Sequence, residues 1–150
     1  MDSLLLILHI LCGGLGLLIA SGAFLSKKRR GIHTVLGNTY HWIFVLLSLS
    51  AIALAMLNWN DLWWFLPIAL FSYSFALIGY LAAKIKWKNW IRFHLIGQGG
   101  SFIAMVTALF VVNFGSVNLL VWFLPTIVGT PILIWFAKEV KAGRRPKYET

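Results

Sequence analysis

The stretch "LLLILHILCGGLGLLIASGAFLSKKRRGIHTVLGNTYHW", residues 4–42, joins an uncharged apolar run to four consecutive basic residues and a second apolar run that opens on His33. An apolar segment of about 18 residues or more, rising about 1.5 Å per residue as a helix, is long enough to cross a hydrocarbon layer of about 30 Å. Outward from this stretch the same pattern repeats, and spans are expected at Leu4–Leu25, His33–Leu57, Leu62–Ala83, Trp90–Val112 and Val117–Phe136. The 150-residue chain is 60% hydrophobic and 11% charged, whereas soluble domains carry about 25% charged residues. So little charge cannot cover a globule, so lipid is the expected solvent. The runs are continuous, which excludes the alternating strands of a membrane barrel. The expected class is therefore all-α, a helical membrane bundle of five transmembrane helices over 1–137 with a short basic tail at 138–150. The first run has no basic leader and no Ala-x-Ala-like cleavage site, and is expected to be a retained helix. Cys12 lies within it, and as the only cysteine it can form no internal disulfide.

Charge sets the orientation. All 13 Lys and Arg residues fall on one side of the expected spans. Lys27, Lys28, Arg29 and Arg30 follow the first span; Lys84, Lys86, Lys88 and Arg92 lie around the third turn; Lys138, Lys141, Arg144, Arg145 and Lys147 form the tail. The other side offers Asp2, "NWND" at 58–61 and "NFGSVN" at 113–118. By the positive-inside rule the N-terminus is outside and the C-terminus cytoplasmic. The net charge of +9 therefore belongs to juxtamembrane loops, which attract anionic lipid headgroups, and is not a nucleic-acid footprint. The expected partners are the bilayer, those headgroups, and a membrane protein or a second copy of the chain. Trp59, Trp63 and Trp64 mark the outer interface and Trp87 and Trp90 the inner one; Trp42 and Trp122 are expected to pack between helices.

No acidic or basic residue lies near the middle of any span, so the four histidines are the titratable groups left for chemistry within the bilayer. Counting helix rise from each span's centre puts His9 roughly 9 Å toward the outside, and His41, His94 and His33 roughly 6, 11 and 18 Å toward the cytoplasm. His94, Gln98, Ser101 and Met105 share one helix stripe, with Gly97, Gly99 and Gly100 beside them. His33, Gly37 and His41 recur at spacings of four, with Tyr40 alongside. His9, Gly13, Gly16 and Ala20 form a small-residue stripe of the kind that packs helices closely.

Two imidazoles on facing helices are a standard axial pair for haem b. Depth favours His41 with His94; His33 with His94 is the other pair, and Met105 a remote axial candidate. Without a Cys-x-x-Cys-His motif, covalent haem attachment is excluded. Zinc, which prefers four His, Cys or carboxylate ligands, is poorly served, although a three-histidine set of His33, His41 and His94 stays open. The competing reading has no cofactor: the histidines hydrogen-bond between helices, and the protein binds a lipid, quinone or partner, or is a subunit of a larger membrane assembly. In the last span Pro125, Gly129 and Pro131 are expected in mid-helix, where proline kinks the backbone.

The order of these pieces, from His9 and its glycines through "HTVLGNTY" and "HLIGQGGSFIAMVTALFVVN" to "WFLPTIVGTP", resembles the bacterial membrane proteins grouped as domain of unknown function 2306. The matching positions are His9, His33, Gly37, Tyr40, His94, Ser101, Thr107, Pro125, Gly129 and Pro131. The resemblance implies a multi-pass protein of the bacterial cytoplasmic membrane and adds weight to His9, His33 and His94, not His41. It implies no particular activity. The charge pattern has a direct test: a fluorescent protein fused after Thr150 is expected to fluoresce, as cytoplasmic fusions do, and a dark fusion expressed at equal level would reverse the orientation.

Overall fold

The computed structural model describes residues 3–115 and 118–142. Among them the structure is all-helical: α1 (Ser3–Leu25), α2 (Ile32–Leu57), a single turn α3 (Trp59–Leu62), α4 (Phe65–Ile85), α5 (Trp90–Phe114), a 3-10 turn (Leu119–Trp122) and α6 (Leu124–Lys141). Five helical segments are long and apolar enough to cross a membrane. Large apolar side chains stay exposed along all of them, among them Leu18, Leu25, Val35, Phe71, Val112 and Ile127. A soluble monomer does not leave such surface bare, whereas hydrocarbon covers it at no cost. Asp2, Ser116 and Val117, and the tail from residue 143 with Arg144, Arg145 and Lys147, lie outside the described residues.

The chain divides into two units, the first running to Ser74 and the second starting at Phe75. In the first, α1 and α2 form an antiparallel hairpin. The buried face of α1 is small, Cys12, Gly16, Ala20 and Ala23, which brings α2's larger Tyr40, Phe44, Ser48 and Leu54 against it. A Cβ on Gly13 would touch Leu47 at 3.7 Å and one on Gly22 would touch Leu36 at 3.5 Å. The pairings 13 with 47 and 22 with 36 keep a nearly constant sum, as an antiparallel register requires.

Trp42 corrects an expectation. It is 63% exposed, because it sits two residues, about 200° of helix, from the buried Tyr40. The hairpin turn rests on Gly31, whose φ of 121° and ψ of −129° suit glycine alone. The last carbonyls of α1, orphaned as at any helix end, are capped by Lys28: its Nζ donates to Ala23 O at 2.8 Å, Phe24 O at 2.7 Å and Ser26 O at 3.1 Å. Those acceptors take all three N–H groups that only the protonated ammonium has. Burial works the other way and lowers the Lys28 pKa below its ordinary value.

In the second unit α5 lies between α4 and α6, and "GQGG" at 97–100 lets both come close. A Cβ on Gly97 would stand 2.5 Å from Gly79 Cα and N and 2.6 Å from Phe75 O, so the α4 and α5 backbones touch with no side chain between them. Gly100 faces the Phe75 ring and Gly99 faces Leu133 of α6, while Gly129 of α6 faces Ile103. The pairs 99 with 133 and 103 with 129 again show an antiparallel register. The turn between α4 and α5 uses two left-handed residues, Lys86 (φ 54°) and Asn89 (φ 63°).

The last span differs from expectation. It is broken after the 3-10 turn, and α6 starts at Leu124, so Pro125 sits in its first turn. There its missing N–H has no helical partner to lose. Only Pro131 lies inside the helix. The helix also runs past Phe136 to Lys141, carrying the first tail residues with it.

Gly97→Ala is expected to force α4 and α5 apart and cost about 1–3 kcal/mol, as overpacking does. Gly14→Ala, where an added Cβ meets nothing within 4 Å, is the control. Thermal unfolding in detergent compares them, and equal transitions would contradict the contact.

Candidate cofactor-binding histidines

Each histidine is placed by the helix that carries it and held by the helix it faces. His33 is the second residue of α2, where the hairpin returns beside the end of α1. Its Nδ1 lies 3.0 Å from Ala23 O. A carbonyl oxygen only accepts, so Nδ1 carries the proton and donates. Ser26 Oγ is 3.2 Å from the same nitrogen and donates its own hydrogen to Ala23 O at 2.8 Å.

His94, in the second turn of α5, repeats the arrangement with its Nδ1 2.9 Å from Gly79 O of α4. One turn on, Gln98 Nε2 donates to Ala76 O at 3.1 Å. The helix-to-helix distance set by Gly79 and Gly97 is what lets these short reaches succeed. Ser101 and Met105, next on that stripe, are buried at 0% and 6% exposure, and Ser101 Oγ donates to Gln98 O of its own helix.

His9, on α1, has its Nδ1 2.9 Å from Ser50 Oγ of α2. The Ser50 hydroxyl is also 2.9 Å from Leu47 O, so its single hydrogen serves either that carbonyl or the His9 ring, and the partner alone does not set the tautomer of His9. His41 differs from the other three. It is 5% exposed and held between rings, stacked on Tyr73 with centroids 6.4 Å apart and edge-on to Trp42 at 5.5 Å.

The tautomers follow from these partners. In neutral His33 and His94 the proton is on Nδ1 and the lone pair on Nε2. Histidines that ligate a metal through Nε2 are oriented in just this way, with Nδ1–H given to a carbonyl, carboxylate or water. The residues therefore fit imidazole ligation of haem, and His33 and His94 fit it alike.

Depth and spacing keep the first-unit histidines apart. His33 and His41 are eight residues apart on α2, about 12 Å of rise, and His33 is about 25 Å of rise from Ser50, the residue His9 meets. His94 belongs to the second unit. Among the described residues no three His, Cys, Asp or Glu side chains form a group that could hold a metal ion. Cys12 is buried and free.

The sequence did not reveal the partners. The carbonyls of Ala23, Ala76 and Gly79 carry no residue-type signal, and Gln98 reads as one more polar residue on the histidine stripe. Gly79, lone in an apolar run, was the available sign of a close helix crossing. No family model, no curated protein and no solved structure matches the chain.

Gln98→Leu is expected to lower stability in detergent by about 0.6–1.7 kcal/mol, the worth of an interhelical hydrogen bond in a membrane protein. An unfolding curve superimposable on the parent's would mean that the Gln98–Ala76 bond carries no weight.

Proposed function

We propose that this chain is a redox protein of the bacterial cytoplasmic membrane that binds haem b through Nε2 of its intramembrane histidines. The observation that carries the reading is the shared Nδ1–H donation of His33 and His94 to a backbone carbonyl of the neighbouring helix. It fixes the ligating tautomer before any metal arrives and holds each ring still. His94 and His33 rank first as ligands, because a backbone carbonyl anchors each; His9, on a serine hydroxyl, and His41, held by rings, follow. Bound haem would cycle between ferric and ferrous iron, carrying one electron at a time. The protein's own part is to supply neutral imidazole, an apolar surround that disfavours net charge, and a fixed ring orientation. The N-terminus lies outside and the basic loops face the cytoplasm, against anionic headgroups.

One specific observation favours a second reading. The same hydrogen bonds account for the histidines as tethers between helices, and Gln98, which is no haem ligand, makes an equivalent bond to Ala76 O. The protein is then a cofactor-free bundle that binds a lipid or small molecule, or serves as a subunit of a membrane assembly.

An absorption spectrum of the detergent-purified protein, expressed with haem supplied, separates the two. The redox reading expects a Soret band, split visible bands after dithionite, and their loss in His94→Ala or His33→Ala. A colourless protein whose histidine variants all fold would leave the tether reading in place.

A further inference from the structure

Three donors converge on one oxygen at the end of α1. Ala23 O accepts from Lys28 Nζ at 2.8 Å, from Ser26 Oγ at 2.8 Å and from His33 Nδ1 at 3.0 Å. A carbonyl has two lone pairs, so donors beyond two compete, and each draws density away from the others. The ammonium is the strongest of the three, since a charged donor bonds about twice as strongly as a neutral one. It is also a positive charge set one atom away from the His33 N–H, which disfavours any build-up of positive charge on that ring.

Among the described residues, no lysine is bonded to Gly79 O, the partner of His94. Lys84 instead lies over the Tyr80 ring at 5.2 Å, and Lys86 lies over the Trp90 ring at 5.8 Å. The two carbonyl-anchored histidines thus differ in what else their carbonyl holds.

We propose that Lys28 is a positioning residue for His33, weakening its Nδ1–H···O bond through the shared Ala23 carbonyl and so making His33 Nε2 the poorer electron donor of the two anchored imidazoles. The ligand consequence rests on the haem reading above; the effect on the hydrogen bond does not. A metal-ligating imidazole donates more strongly the more firmly its Nδ1–H is held by an acceptor. A cation that competes for that acceptor lowers the ring's donation, favours the reduced iron and raises the potential of a haem ligated there. The structural link is short: Lys28 stands five residues before His33 in the same turn, so the loop that sets the hairpin also sets the ligand.

The test uses the full chain in detergent with ¹⁵N-labelled histidine, the His33 Nδ1–H resonance being identified by its loss in His33→Gln. In Lys28→Met the resonance is expected to move downfield, as for a stronger hydrogen bond. Lys28→Gln, which keeps a neutral donor for the helix end, is expected to move it in the same direction and serves if Lys28→Met does not fold. Lys28→Arg restores the charge and is expected to return the resonance toward the parent position. Lys27→Met removes an exposed neighbouring charge and is expected to leave it in place. The potential of the haem-loaded protein is expected to fall in Lys28→Met and to recover in Lys28→Arg. A resonance that stays put in Lys28→Met and Lys28→Gln, or moves as far in Lys27→Met, overturns the proposal. Protein that takes up no haem but shows the downfield shift overturns the redox reading and leaves the hydrogen-bond effect standing.

Discussion

A polar side chain on a helix surrounded by hydrocarbon has no water to turn to, and this constraint organises the polar contacts inside the chain. Backbone groups are satisfied within each helix, so the partners on offer are the carbonyl oxygens of the neighbouring helix, each with a second lone pair. His33 takes Ala23 O and His94 takes Gly79 O, while Gln98 takes Ala76 O. Such short reaches succeed only where helices come nearly to backbone contact. The Gly79 and Gly97 crossing is the clearest instance, and small residues on α1 serve the same end in the first hairpin. Close packing and polar satisfaction are therefore one device: remove the glycine and the donor no longer reaches its acceptor.

The same device bears on chemistry. A ring whose Nδ1–H is committed to a fixed acceptor has one tautomer, one orientation and a lone pair on Nε2. For a structural tether this rigidity is incidental, whereas for a metal ligand it is the condition for forming a bond in a set geometry. Two of the histidines occur where the second helix of a hairpin passes the end of the first, at His33 beside Ala23, or passes its glycine, at His94 beside Gly79. The basic residues of the turns lie close by, and in the first hairpin one of them, Lys28, shares the acceptor with the histidine. Helix end, positive charge and imidazole thus meet on one atom.

What could be read from the sequence were the features that repeat along it. Five apolar runs located five helices to within a few residues at most of their ends, since hydropathy acts on every position of a span. The starts of α4 and α6 were displaced, to Phe65 and Leu124, each behind a short turn. The Leu119–Trp122 turn is as apolar as the helix after it, so hydropathy does not see the break, and Pro125 becomes meaningful only once the helix is known to begin beside it. Trp42 was misplaced because depth along a span says nothing about the face a residue occupies, and its face is decided by its angular distance from Tyr40. The histidine stripe on α5 was legible as a stripe. That it faces α4 was not, because its acceptors are main-chain atoms that every residue possesses. His41 was singled out by depth, and the rings of Trp42 and Tyr73 that pack on it were not legible from depth.

The claim on which both the packing account and the ligand account stand is that His33 and His94 carry their proton on Nδ1. The direct measurement is ¹⁵N NMR of the histidine rings in the purified, cofactor-free protein at a pH where they are neutral. The account expects the signature of a protonated Nδ1 and a lone-pair-bearing Nε2 at both residues, each assigned by its loss in the single His→Gln variant. Rings protonated on Nε2, or averaging rapidly between the two tautomers, would contradict it, because then the carbonyls of Ala23 and Gly79 would not be holding them.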